Sequence, residues 1–255
     1  VTNDSLAPRL ARPARSPSRT AKISEHIARQ ILRDIQVQGL VPGDRLPSEA
    51  AMLDRFDIGR GSLREALRIL EVNGLVTIKT GPGGGPVVAS SDAVSFGQMW
   101  TLHLQSIGAT YRQLLEARCE LESMLARRAA EIEGEEPAEM VRAALDEGEK
   151  PMEDDSTYAA VTSGFHATVC LAGDNLVLAL AANSIQSIWS QRVTSVLFAP
   201  EERPSVHAAH QEITRAIEKH DGRRAEELMR EHLQHYQDYC ERRYPARMDD
   251  VVDWS

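Results

Sequence analysis

Apolar residues recur four apart near the start of the chain, as Ile23, Ile27, Ile31 and Ile35. That spacing puts one oily stripe along a helix over about 22–37, ending at Gly39. Pro42-Gly43 then marks a turn, and Ser48 behind Pro47 supplies an N-cap hydroxyl for a short helix to about Phe56. A third helix follows in "IGRGSLREALRILEVNG", with Leu63, Leu67 and Leu70 on one face and Asn73-Gly74 as its stop. The pattern next changes period. Leu75–Lys79 and Val87–Ala89 carry β-branched residues on either side of "TGPGGGPVV", which predicts a hairpin with a glycine tip.

Beyond about residue 92 the strand signal disappears. Helical patterns run over about 92–106, 110–133, 137–150, 154–172, 175–198, 204–219 and 222–243, punctuated by Gly134, Gly173, Gly222 and by Pro137, Pro151, Pro200 and Pro204. The expected architecture is mainly α: a small helical domain with a β-hairpin, then an all-helical bundle of six to seven helices. The divisions are a flexible basic tail (1–19), the first domain (20–90), a linker with an additional helix (91–109), the bundle (110–245) and a tail (246–255).

Composition narrows the class. The 255 residues are 42% hydrophobic and 26% charged, the mix of a folded soluble protein. Three cysteines, at 119, 170 and 240, have neither zinc-like spacing nor an even count, so reduced thiols in a cytoplasmic protein are expected. The apolar run "LVLALAA" is too short to cross a bilayer, and no membrane partner is expected. Net charge is −9, yet residues 1–90 hold 13 Lys+Arg against 9 Asp+Glu. A polyanion would therefore meet the N-terminal end, because phosphate neutralisation needs local positive charge.

The third helix has the chemistry for that. Arg60, Arg64 and Arg68 lie at i, i+4 and i+8, on a stripe about 100° from the leucine face. Gly59, Gly61 and Ser62 keep its first turn small, so exposed N–H groups there can approach phosphate oxygens. A helix of this kind can place an arginine fork on a guanine edge in the major groove. The competing reading is a surface helix whose arginines pair with Glu65 and Glu71.

In order and spacing, Pro42, Gly43, Leu46, Pro47, Ser48, Glu49, Arg60, Leu63, Arg64, Glu65, Ala66, Leu67, Leu70, Gly74 and Leu75 resemble the winged helix-turn-helix of the GntR family of bacterial transcriptional regulators, FadR-type subfamily. The resemblance implies double-stranded operator DNA as partner. It gives a candidate DNA-binding set of Arg45, Arg60, Gly61, Ser62, Arg64, Lys79, Thr80 and Gly81. Two positions depart from many relatives, Ala50 for an arginine and Gly61 for a threonine, which bears on operator sequence.

The second half resembles that subfamily's helical FCD domain, which binds effectors and dimerises, in "LLEARCELESMLARRAA", "FHATVCLAGDN" and "HQEITRAIEKHDGRRAEELMREHL". His166, His210 and His232 sit on separate expected helices, and neutral imidazoles converging in a bundle suit Zn, Ni or Mn. The resemblance implies a metal at these histidines. Its usual aspartate ligand, one turn before the first histidine, is Thr162 here. Arg118 stands at an arginine that reaches the effector pocket in relatives, and a guanidinium can clamp a carboxylate in two places. The candidate effector set is thus Arg118, Thr162, His166, His210 and His232. A metal-free polar pocket and inert core histidines stay open as readings.

The function expected from all this is a homodimeric, effector-responsive regulator on a two-fold operator, modulated by a small carboxylate. The alternatives are a metal-dependent enzyme built on the three histidines and a regulator answering to a fatty acyl thioester. The glycine tip lacks the Lys-Ser/Thr pair of a phosphate loop, which disfavours a nucleotide binder.

Overall fold

The computed structural model describes residues 19–81, 84–90, 92–149, 154–192 and 200–253. All but the last residue of the expected N-terminal tail, and Gly83 of the glycine tip, lie outside them. The chain forms two compact units, Val1–Ser91 and Asp92–Ser255.

In the first unit α1 (Arg19–Val37), α2 (Glu49–Phe56) and α3 (Arg60–Val72) precede β1 (Val76–Lys79) and β2 (Gly85–Val88). The isoleucine stripe of α1 packs on α3: Ile27, Ile31 and Ile35 share a core with Met52, Leu63, Leu67, Leu70, Val76 and Val88. Ile23 is left 38% exposed, so the stripe is covered over three of its four members. Ser48 Oγ accepts from Ala51 N and starts α2, while Asp57, in the left-handed region at φ 49°, ends it. Gly74, at φ +67°, makes the turn from α3 into β1.

The hairpin is antiparallel, pairing Val76 with Val88 and Lys79 with Gly85. Its outer edge is covered. Gly43 N and Leu46 N donate to Val88 O and Pro86 O at 2.9 and 3.0 Å, and Val88 N donates to Asp44 O at 2.8 Å. The segment before α2 thereby forms a third ply, which quenches the open edge. At the tip Gly84 N donates to Gly81 O, and a Cβ on Gly84 would lie 2.3 Å from Lys79 O. Only glycine fits there.

The second unit contains α4 (Ala93–Ser106), α5 (Tyr111–Glu131), α6 (Glu136–Glu147), α7 (Asp155–Ala172), α8 (Leu176–Arg192), a 3-10 turn at Pro200–Glu202, α9 (Arg203–Glu218), α10 (Gly222–Arg243) and α11 (Pro245–Asp249). Thr110 and Gln113 form a capping box that starts α5. Ala126, Ala129 and Ala130 of α5 are small enough to bring α7, α9 and α10 close, and Phe165, Val169, Ile213, Ile217, Ala225, Met229 and Leu233 fill the space. No described helix is long and apolar enough to cross a membrane.

Two segments differ from the sequence expectation. The stretch over 91–109, set apart as a linker with a helix, contributes α4 to the bundle itself. At Gly97 a Cβ would approach Ser184 O to 3.2 Å, tighter than an ordinary Cβ contact, so glycine eases the close packing of α4 on α8. Residues 246–255, expected as a tail, are folded as far as they are described. Val252 N donates to Ala109 O at 2.8 Å, Tyr111 N donates to Asp250 O at 3.2 Å, and the side chains of Met248 and Val252 are fully buried. Hydrophobic anchoring after a proline-initiated turn holds this end, which charged neighbours disguise in the sequence.

Candidate functional site

Each unit carries one candidate surface or centre. In the first, α3 buries Leu63, Ala66, Leu67 and Leu70, which turns Arg60, Arg64 and Arg68 outward into solvent. None of the three forms an ion pair among the described residues, so the reading in which Glu65 and Glu71 neutralise them is not the arrangement adopted. The N-cap Gly59 offers no side-chain acceptor, and its carbonyl accepts from Ser62 N at 3.1 Å, so among the described residues the N–H groups of Arg60 and Gly61 are the ones left for an outside anion. Space around Gly61 is open: a Cβ would touch nothing within 4 Å, so packing within the chain does not demand glycine there. Ser62 is half-buried beside it. Lys79, Thr80 and Gly81 are exposed at the end of β1, and exposed Arg45 bridges Val87 across the covered edge of the hairpin. The structure thus puts Lys79, Thr80 and Gly81 on the hairpin, Arg45 on the segment that pairs with its edge, and Arg60, Gly61, Ser62 and Arg64 on the first turns of α3.

In the second unit four helices each deliver side chains to one point. His166 comes from α7, His210 from α9 and His232 from α10, and one ring nitrogen of each lies within 4.8 Å of the others. His210 Nε2 is 3.3 Å from His232 Nε2, which is 3.2 Å from His166 Nε2. Phe165 stacks on the His210 ring with centroids 4.0 Å apart, and the His166 and His232 rings stack at 5.2 Å. All three histidines are buried. Burial, then the neighbouring histidines, holds His210 and His232 well below the ordinary imidazole pKa. His166 is lowered as well, by burial, against the pull of Glu122. Three neutral imidazoles with converging nitrogens are the donor set of a borderline divalent ion.

Behind them stands a pair from α5. Glu122 Oε2 lies 2.6 Å from His166 Nδ1, and Glu122 Oε1 accepts from Arg118 Nε at 2.5 Å. Burial alone would raise the Glu122 carboxyl, but Arg118 and His166 together bring it down to about 2. Arg118, expected to line the effector pocket, is itself buried and committed to Glu122. Glu122, which is outside the candidate set drawn from the sequence, is the residue that joins the arginine to the histidines.

A cavity of about 340 Å³ opens against this centre, lined among others by Tyr158, Thr162, Phe165, Arg203, His207 and His210. Thr162 borders the cavity one helical turn from His166, outside the metal-ligating group. Arg203 lies over the Tyr158 ring at 4.3 Å and its Nη2 reaches Asp155 Oδ1 at 2.5 Å. Asp154 caps α7 through Thr157 N, so neither aspartate is offered to the histidines. Tyr158, Arg203 and His207 were missed from the sequence. The signal was there, since Tyr158, Thr162 and His166 repeat every fourth residue on α7 and Arg203, His207 and His210 share a face of α9.

Comparison with known proteins settles the class. Residues 23–84 match "Bacterial regulatory proteins, gntR family", and residues 113–235 match the FCD domain. The chain belongs to the GntR family. It is a DNA-binding transcriptional regulator of the GntR type with an FCD domain, not an enzyme. It is 27% identical over 224 residues to the HTH-type transcriptional repressor NanR of Enterobacter sp. (strain 638), covering 86% of this chain and 85% of that one. It is 28% identical over 240 residues to the protein of the same name from Escherichia coli (strain K12), covering 91% and 89%. In fold it is similar to a Streptococcus agalactiae GntR structure, with a TM-score of 0.62 and 20% identity over 84% of this chain and 99% of that one. For this GntR regulator the three-histidine group is a place that could hold a metal ion.

Proposed function

We propose that this GntR regulator binds a two-fold operator as a homodimer and responds to a small carboxylate that enters its FCD unit beside a divalent metal ion. The observation that carries the reading is the charge count of the buried centre. Arg118 and Glu122 cancel, and His166, His210 and His232 are neutral, so a divalent ion held there keeps its full charge. A buried unneutralised charge is costly, and an anion from outside removes that cost. Thr162, where the family resemblance implies an aspartate, leaves that deficit to be met by the effector.

His166, His210 and His232 would hold the ion through Nε2, and the ion, when bound, would supply a Lewis-acidic position for an oxygen ligand. Arg203, His207 and the Tyr158 and Thr162 hydroxyls give the adjoining cavity the groups to orient a polar acid. A cavity of about 340 Å³ with imidazole at its wall suits a small acid better than a long acyl chain. Effector binding would change how well the paired heads fit their two half-sites, as any ligand that favours one conformation does.

Metal analysis of the purified protein tests the centre, with His210→Ala as control. One equivalent in the parent chain and a clear loss in the variant support the reading, and well under one equivalent in the parent sinks it.

A further inference from the structure

We propose that the buried Arg118–Glu122 pair is a positioning device for the three-histidine group, fixing the proton of His166 on Nδ1 so that its Nε2 stays a lone-pair donor facing those of His210 and His232. The inference rests on the reading of those histidines as metal ligands.

An arginine four residues before a glutamate is ordinarily a solvated helix pair of small worth. Here the two side chains are only 7% and 0% exposed, so each has given up its water and must be satisfied by what it touches. Glu122 divides its oxygens between two donors, Arg118 Nε at one and His166 Nδ1 at the other. A carboxylate only accepts, so the proton between Glu122 and His166 belongs on Nδ1. The opposite nitrogen of the same ring is then bare. It lies 3.2 Å from His232 Nε2, which is itself 3.3 Å from His210 Nε2. Arg118 completes the device, since a donor-only guanidinium on Oε1 keeps Glu122 ionised and turned toward the ring. Partners of this kind behind a ligating histidine fix tautomer and orientation together.

The logic makes Glu122→Gln a tautomer switch at constant shape. Arg118 can only donate, so the Gln oxygen must face it, and the amide NH2 must face His166 Nδ1. His166 then accepts at Nδ1 and carries its proton on Nε2, where it blocks metal binding. Adding Arg118→Met frees the amide to turn its oxygen back to the ring.

Two measurements decide it on the full chain. Long-range 1H–15N correlation of the metal-free protein, labelled in histidine, should show His166 as the Nδ1–H form in the parent and the Nε2–H form in Glu122→Gln. Co2+ titration by visible absorption should show Glu122→Gln weaker by about 10- to 100-fold, with Arg118→Met/Glu122→Gln recovering most of the loss. A parent His166 protonated on Nε2 overturns the proposal without any variant having to fold. So does Glu122→Gln binding Co2+ as the parent does, or a double variant no tighter than the single one. A parent that takes up no Co2+ removes the metal reading instead, and the His166 tautomer still decides whether the pair sets the proton.

Discussion

Phe165 and His210 lie face to face, with ring centroids 4.0 Å apart and planes inclined by 13°. The contact fixes the plane of a ring whose Nε2 has to meet two others, and it does so with an apolar face that cannot compete for a metal. Phe165→Leu keeps the site apolar but removes the ring. Thermal unfolding should show a loss of about 1 kcal/mol from the ring pair, and Co2+ affinity should fall as His210 gains freedom. A variant with parent-like Co2+ affinity would show that α9 alone orients the imidazole.

The hairpin tip is set by one close approach. A Cβ at Gly84 would lie 2.3 Å from Lys79 O, so Gly84→Val must open the turn that presents Thr80 and Gly81. Lys79 is the cation next to the tip in the sequence, so the tip is expected to contribute shape and backbone N–H groups rather than charge. The expected outcome in an operator gel shift is a loss of about tenfold in affinity with a salt slope close to the parent's. Co2+ uptake should not change. Normal operator affinity in Gly84→Val would make the wing a bystander.

The sequence showed its repeating patterns plainly and its convergences poorly. The leucine face of α3 and the arginine stripe beside it follow from a period of 3.6, so Leu63, Leu67 and Leu70 were readable as core and Arg60, Arg64 and Arg68 as surface. Glu122 was not. An Arg-x-x-x-Glu pair looks alike on a wet helix and a buried one, and the difference is made by α7 and α10 closing over it. Resemblance to the FCD domain, rather than periodicity, brought His166, His210 and His232 together on paper. Their meeting depends on how α7, α9 and α10 cross α5, which no local pattern encodes.

The C-terminal end follows the same rule. Residues 246–255 are charged and short, so they look like a tail, yet Met248 and Val252 are fully buried and Val251 bridges Thr110. Arg247 stacks over the Tyr111 ring at 4.7 Å, and Arg112 reaches Asp249 at 3.0 Å. Truncation after Tyr244 should cost about 1.5–3 kcal/mol for each of the two buried side chains, as an upper bound. Urea unfolding followed by Trp fluorescence checks this. A truncated chain with the parent's midpoint would show that the end rests on the bundle without stabilising it.

The sharpest test of the DNA-reading face is the double variant Arg60→Ala/Arg64→Ala. Both side chains are exposed and unpaired among the described residues, so their removal leaves no buried charge and no cavity, and stability should hold. What changes depends on what each arginine touches. One on a phosphate takes about 0.9 from the slope of log affinity against log salt and weakens all sequences alike. One on a guanine edge costs about 1–3 kcal/mol and relaxes specificity at its base. Fluorescence anisotropy with operator and scrambled DNA over a range of salt separates the two. Because Arg60 is on the first turn of α3, beside N–H groups that no side chain caps, it is expected to act on a phosphate. Arg64, one turn on, is expected to reach the bases. Parent-like affinity with a parent-like salt slope would sink the assignment of α3 as the recognition helix. A loss confined to the slope would move Arg64 to the backbone as well.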